Sequence, residues 1–142
     1  MIEVRPAGDV GEVGAAMVLR REVFVVEQGV DAAEEYDGRD DEATHLVALR
    51  DGAVVGTCRL LADGEVVKLG RLAVAVPHRR RGVAARLLAE GERWAREHGG
   101  ARIVLHAQQY ARGVYAAAGY RAVGDTFMEA EIEHVRMERR LA

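Results

Sequence analysis

The sequence predicts an α/β fold, with helices packed on a mixed, mainly antiparallel sheet. Three observations carry that expectation. Apolar residues follow a helical period from about residue 10 to 27, the period changes to two between residues 44 and 76, and a strand, a helix and a second strand succeed one another between residues 69 and 107. A length of 142 residues is about one domain's worth, so a single domain over 1–142 is expected, with one core serving every function.

Residues 1–5 read as a short strand. Asp9 followed by Glu12 has the spacing at which a helix start satisfies its own free N–H groups. Val13, Ala16, Leu19, Val23 and Val26 then form one apolar stripe, predicting a helix to about Glu27. Residues 31–42 hold seven carboxylates and one arginine, a composition that predicts a solvated loop. Strands are expected near 44–50, 53–62 and 65–76, because Asp51-Gly52 and Asp63-Gly64 suit tight hairpin turns.

After Val76 the pattern becomes helical again. Val83, Ala84, Leu87, Leu88, Gly91, Trp94 and Ala95 share a face, Glu92 and Arg96 are expected to pair on the other, and Gly99-Gly100 stops the helix before a strand at 103–107. Such a crossover joins parallel strands with a right-handed connection. A short Ala-rich helix over 111–118 and strands at 120–124 and 131–139 complete the expected order.

Composition narrows the function. Hydrophobic residues at 49% and charged residues at 30% are globular proportions that exclude intrinsic disorder. A net charge of -3 does not favour nucleic-acid phosphates, so no nucleic-acid partner is expected. The single cysteine, Cys58, permits neither an intrachain disulfide nor a cysteine-based zinc site, and it fits a cytoplasmic protein. No apolar run approaches the ~20 residues of a membrane span, and the opening residues lack a basic segment followed by an apolar one, so no membrane partner is expected. His45, His106 and His134 lack the compact spacing of metal ligands, and no metal is expected.

The segment from Leu72 to Ala84 points to chemistry, because a strand there enters a basic loop that opens a helix. The first N–H groups of a helix have no intrahelical partner and sit at the positive end of its dipole, which favours phosphate oxygens. Gly82 and Ala84 keep side-chain bulk away from that turn, while Arg79, Arg80 and Arg81 add charge.

Arg79-Arg80-Arg81-Gly82-Val83-Ala84 resembles the acetyl-CoA loop of the GNAT superfamily of N-acetyltransferases, which reads Arg or Gln-x-x-Gly-x-Gly or Ala. The family's Asn-x-x-Ala-x-x-aliphatic-Tyr segment and its Gly-aromatic pair are similar to Gln108–Tyr115 and Gly119-Tyr120. The resemblance covers most of the chain in element order. It implies acetyl-CoA as cosubstrate, a GNAT-like arrangement of strands that splay near Val74 and Ala107, and pantetheine held by the backbone of Leu72, Ala73 and Val74. It further implies diphosphate cradled by residues 79–84, Gln108 near the cofactor, an oxyanion donor among the Leu72–Val74 N–H groups, and Tyr115 as general acid toward the departing thiolate.

The family's strand Glu has no counterpart in Ile103-Val104-Leu105. Glu27, at the end of the first helix, and His45, at the opening of a strand, are the substitute general bases to test beside water-mediated deprotonation. Arg20, Val23-Phe24, Glu27-Gln28, Asp37, Asp41, His45, Arg59, Arg71, Ala107-Gln108 and His134 resemble a bacterial GNAT subgroup of mostly unassigned substrate. In such a pattern Arg59 and Arg71 would read an acceptor carboxylate, and acids including Asp37 its ammonium.

The expected function is direct acetyl transfer to a primary amine of a small molecule or peptide. A silent CoA-binding sensor or interaction module, and an acyltransferase for longer acyl-CoA donors, are the alternatives, with homodimerisation left open. Cys58, inside an alternating strand, is expected to be a buried hydrophobe rather than a nucleophile.

Overall fold

The computed structural model describes residues 1–141; Ala142, the last residue of the expected 1–142 domain, lies outside the described residues. Seven strands form one sheet: β1 (Glu3–Pro6), β2 (Thr44–Arg50), β3 (Ala53–Asp63), β4 (Val66–Val74), β5 (Arg102–Gln108), β6 (Arg121–Glu129) and β7 (Ile132–Arg140). Their order is β1-β2-β3-β4-β5-β7-β6, and among the described residues only β4 and β5 run parallel. Four α-helices accompany them: α1 (Val10–Arg20), α2 (Ala32–Glu35), α3 (Val83–Glu97) and α4 (Arg112–Ala117).

The expected cap of the first helix forms, since Asp9 accepts from the Glu12 N–H at 2.8 Å. Glu12 itself accepts from the Gly8 N–H at 2.7 Å and from both terminal nitrogens of Arg5. The helix does not keep its period to Glu27. It widens into a π-helical segment over Arg21–Glu27, closed where the Gln28 N–H reaches the Val23 carbonyl at 3.1 Å. The longer turn rotates the later residues, so Val26 is 72% exposed instead of joining the stripe. The acidic stretch is not a plain loop either, because it holds the single turn α2 and a 3₁₀ turn at Asp40–Glu42.

Helix α3 lays Val83, Leu87, Leu88, Gly91 and Ala95 on Leu46, Leu60, Leu69, Ile103, Leu105 and Met137 of the sheet. The approach is close enough that a Cβ on Gly56 of β3 would stand 2.8 Å from a Val83 methyl, so a larger residue there would push the helix off. Glu92 does not pair with Arg96. It lies one turn after Leu88 on the buried stripe and accepts from Arg139 of β7 at 2.9 Å.

The expected third strand ends at Val74, not Val76, and Val76–His78 form a 3₁₀ turn. The last strands run to Glu129 and Arg140. Their hairpin was hard to place because its turn residues, Ala130 (φ 51) and Glu131 (φ 62), adopt the left-handed backbone that usually recruits Gly or Asn.

The sheet opens in its middle. β4 and β5 pair only from Val66–Lys68 to Arg102–Val104; beyond that β4 stays with β3 as far as Val74, whereas β5 stays with β7 as far as Gln108. The separation therefore begins at Leu69 and Leu105, earlier than the Val74 and Ala107 expected. A bulge lies at its start: Thr57 faces Ala73 and Arg59 faces Gly70, so one extra residue sits in β4, with Arg71 at φ 55.

Candidate active site

The split between β4 and β5 is the wall of a cavity of about 720 Å³. β4 contributes Lys68–Val74, β5 contributes Leu105, His106 and Gln108, the start of α3 closes one end, and the π-helical segment brings in Phe24, Glu27 and Gln28. The size suits a small-molecule site.

At the α3 end the backbone is arranged for an anion. Arg80 (φ 61) and Gly82 (φ 81) take left-handed conformations and turn the chain into the helix. The Arg86 N–H is bonded to the Gly82 carbonyl at 3.1 Å, which leaves the preceding amides of Val83, Ala84 and Ala85 at the open end of the helix. Gly82 supplies no side-chain cap, and the first turn carries no acid. Gly82, Val83, Ala84 and Ala85 all border the cavity. A Cβ on Gly82 would meet no protein atom within 4 Å, so the visible demand for glycine there is its positive φ rather than space.

Arg79 and Arg80 line the cavity, whereas the exposed Arg81 is not among its lining residues. Arg79 holds both oxygens of Glu27 at 2.6 and 2.7 Å and donates its Nε to the Val74 carbonyl at 2.8 Å. The Ala75 N–H goes to Val55 of β3, so strand alternation turns Val74's own N–H and C=O toward the cleft. Leu72, Ala73 and Val74 border the same space.

Tyr115 enters the cavity from α4 and packs edge-on against Tyr120, with ring centroids 6.3 Å apart. Burial, aided by nearby Cys58 and Tyr110, pushes its phenol above the usual value near 10, so it is a neutral donor at physiological pH. Its hydroxyl has no hydrogen bond among the described residues. Gln108 donates to the Gln28 side chain at 2.7 Å, and Gln28 donates to the Tyr110 hydroxyl at 3.3 Å, so a polar clasp spans the cleft. Cys58 is buried and its thiol is pushed up to about 12 by that burial, which keeps it out of thiolate chemistry.

Arginines and acids gather at the opposite end. Arg20 is 1% exposed and bonds Glu35 at 2.8 Å and Asp40 at 2.7 Å. Arg59 clasps both oxygens of Asp37 at 2.8 Å and reaches Asp40 at 3.2 Å. Arg71 touches the Glu35 carbonyl at 3.1 Å but lies 3.3 Å from the Glu35 carboxylate and 3.4 Å from Asp37, so it is the loosest of the three. The Arg59 hydrogen bonds hold the Asp37 carboxyl well below its ordinary range. Arg59, Arg71, Glu34, Glu35 and Asp37 line the cavity, while Asp40 anchors the network from behind. Glu35, Asp37 and Asp40 of the acidic stretch are thus held in ion pairs, while Asp31, Glu34 and Asp41 stay exposed.

A family model described as an acetyltransferase (GNAT) domain matches residues 7–141. The chain belongs to the GNAT acetyltransferase family. The uncharacterized N-acetyltransferase YjcF of Bacillus subtilis (strain 168) is 35% identical over 123 residues, covering 86% of this chain and 88% of that protein. An acyl-CoA N-acyltransferase from Pseudomonas aeruginosa has the same fold with a TM-score of 0.85 at 30% identity, covering 98% of this chain and 99% of that one. Escherichia coli ElaA superposes with a TM-score of 0.86 at 27% identity over 99% and 100% of the two chains. The GNAT protein is therefore a transferase of the acyl-CoA-dependent kind.

Two candidate bases fare poorly in this acetyltransferase. Glu27 lines the cavity, but the bidentate Arg79 contact lowers its pKa, so it is a weakened proton acceptor. His45 is not brought to the cavity; it lies on β2 opposite Arg59, buried, with Nε2 3.0 Å from the Asp40 carbonyl. β3 stands between it and the split. The sequence reading missed a cluster instead: Glu129, His106 and His134 share one cavity wall, with Glu129 3.0 Å from His106 and 3.7 Å from His134. The sequence places His134 in the subgroup pattern without a role and weighs His106 only as a metal ligand, and among the described residues no group of three His, Cys, Asp or Glu fits a metal ion.

Proposed function

We propose that this acyltransferase moves the acetyl group of acetyl-CoA directly to a primary amine of a small molecule or peptide. One observation carries the reading: the unpartnered N-terminus of α3, the free edge of β4 and a polar end with Arg59 and Arg71 open into one cavity. Residues Arg79–Ala84 receive the diphosphate, and the backbone of Leu72, Ala73 and Val74 receives pantetheine, with Gln108 beside it. A β4 N–H facing the cleft steadies the oxyanion as the amine attacks, and Tyr115 returns a proton to the thiolate.

The acceptor enters beside Arg59, Arg71 and Asp37. Arg59 is already saturated by Asp37 and Asp40, so Arg71, with its long contacts, is the arginine free to meet a carboxylate. The buried, unpaired thiol of Cys58 suits a reducing cytoplasm.

Calorimetric titration with acetyl-CoA and CoA, followed by thiol release against a panel of primary amines, tests this. Acetyl-CoA binding with amine-dependent CoA release is the expected result. Binding without turnover across the panel would favour a CoA-binding sensor, and equal turnover with octanoyl-CoA would move the donor to longer acyl chains. Absence of binding would remove the cofactor assignment.

A further inference from the structure

The cavity wall opposite β4 holds a histidine arranged for proton transfer that no expected role uses. His134 lies on β7 directly beside Gln108 of β5 and is 6% exposed. Its Nδ1 is 2.7 Å from the Ile132 carbonyl, which can only accept, so Nδ1 carries the hydrogen and Nε2 keeps its lone pair. Nε2 stands 3.7 Å from Glu129 Oε2, and the Phe127 ring stacks on the imidazole with centroids 6.0 Å apart. The other Glu129 oxygen meets His106 Nδ1 at 3.0 Å. The groups facing His134 are thus Glu129 from β6, His106 from β5 and the aromatic face of Phe127, while Glu133 and Arg136 flank it on its own strand.

We propose that His134 Nε2 is the general base that deprotonates the amine acceptor, with Glu129 as a positioning residue that stabilises the imidazolium and His106 bracing Glu129. The assignment rests on the acetyl-transfer reading. Among the other cavity carboxylates, Glu27 is clamped by Arg79 and Asp37 by Arg59, whereas the Glu129 carboxylate faces histidines. The Ile132 carbonyl fixes the tautomer through Nδ1, and Glu129 stands beside Nε2, where it faces the positive charge the base acquires on taking a proton.

The step balances as follows. The acceptor arrives as an ammonium and gives one proton to Nε2, after which its lone pair forms the N–C bond. The C–S bond breaks with its electron pair on sulfur, the second nitrogen proton is lost as the amide forms, and the thiolate takes a proton from Tyr115, which is reprotonated from that shed proton. The His134 proton passes to water, so one proton is released per turnover.

The test uses His134→Asn, because the Asn amide can still donate to the Ile132 carbonyl while offering no base. With acetyl-CoA and whichever panel amine the wild type acetylates, kcat/KM should fall by at least about 10²-fold at pH 7 with acetyl-CoA affinity unchanged, and the deficit should shrink as rising pH deprotonates the free amine. Glu129→Gln should lose less than His134→Asn and lower kcat with KM unchanged, as expected of a group that acts through the imidazole rather than on the bound amine. Wild-type kcat/KM in the folded Asn variant would overturn the proposal. Nitrogen NMR of labelled wild-type protein gives a reading independent of any acceptor: the Nδ1–H tautomer of neutral His134 supports the assignment, and the Nε2–H tautomer overturns it. If no amine is acetylated by the wild type, the acetyl-transfer reading fails on turnover and the tautomer alone decides the base geometry.

Discussion

Replacing Arg20 by Met tests how the acceptor end of the cavity is built. The guanidinium is buried against Glu35, itself 2% exposed, and Asp40. Removing one member of a buried ion pair costs about 3–5 kcal/mol, because the partner charge stays in place without compensation. Here the loss is softened, since Glu35 retains Arg71 at 3.3 Å and Asp40 retains Arg59 at 3.2 Å. We therefore expect the lower end, about 3 kcal/mol. At roughly 2–4 °C per kcal/mol for a domain of this size, Tm should fall by about 6–12 °C.

Calorimetric or circular-dichroism melting measures the shift. The companion variant Arg20→Met with Glu35→Leu should recover most of it, because an apolar pair removes the stranded carboxylate as well as the arginine. Acetyl-CoA affinity should be unchanged in both, as neither Arg20 nor Glu35 is ion-paired with residues 72–74 or 79–84. A single variant melting within about 1 °C of wild type would refute the network as a structural element. A double variant less stable than the single one would show that the carboxylate was not stranded.

Tyr115→Phe should lower turnover at least about tenfold with little change in calorimetric acetyl-CoA affinity, as loss of a proton donor predicts. Gly82→Glu should weaken acetyl-CoA binding about tenfold or more by placing a negative charge at the open helix end; Gly82→Ala carries only the backbone strain of φ 81 and should bind nearly normally. Asp37 is held below its ordinary pKa chiefly by the Arg59 hydrogen bonds; Asp40 is lowered too, although burial acts against the Arg20 and Arg59 contacts. The unfolded chain then binds more protons in acid, so the stability these groups supply is complete above about pH 5 and is lost as pH falls through their folded values; melting between pH 7 and pH 2 should show this loss in the region below about pH 5, and a flat Tm there would contradict the ion pairs.

Much of the fold was legible because the signals were local. The α3 stripe, the Asp-Gly turns and the two-residue period of β2 to β4 each lie within about one element's length, where periodicity reports which face is buried. Both strands of the last hairpin were expected, but the length of β6 escaped because Ala130 and Glu131 occupy a turn whose usual residues are absent, and the π-helical slip escaped because one longer turn leaves no mark in composition. Glu92 was misplaced for a similar reason: its charge suggested the surface, while its position one turn past Leu88 put it beside Arg139.

Sequence alone determined the single α/β domain, the parallel crossover, the basic loop opening α3 and the tyrosine on α4, since each is carried by neighbours in the chain. Tertiary structure alone decided which side chains meet. Arg20 and Glu35 are 15 residues apart, Arg59 and Asp37 22, His106 and Glu129 23, and Gln28 and Gln108 80. Those encounters follow from strand register, a bulge in β4 and the early parting of β4 from β5. Register is a cooperative property of the whole sheet, because a shift by one residue sends every side chain to the opposite face.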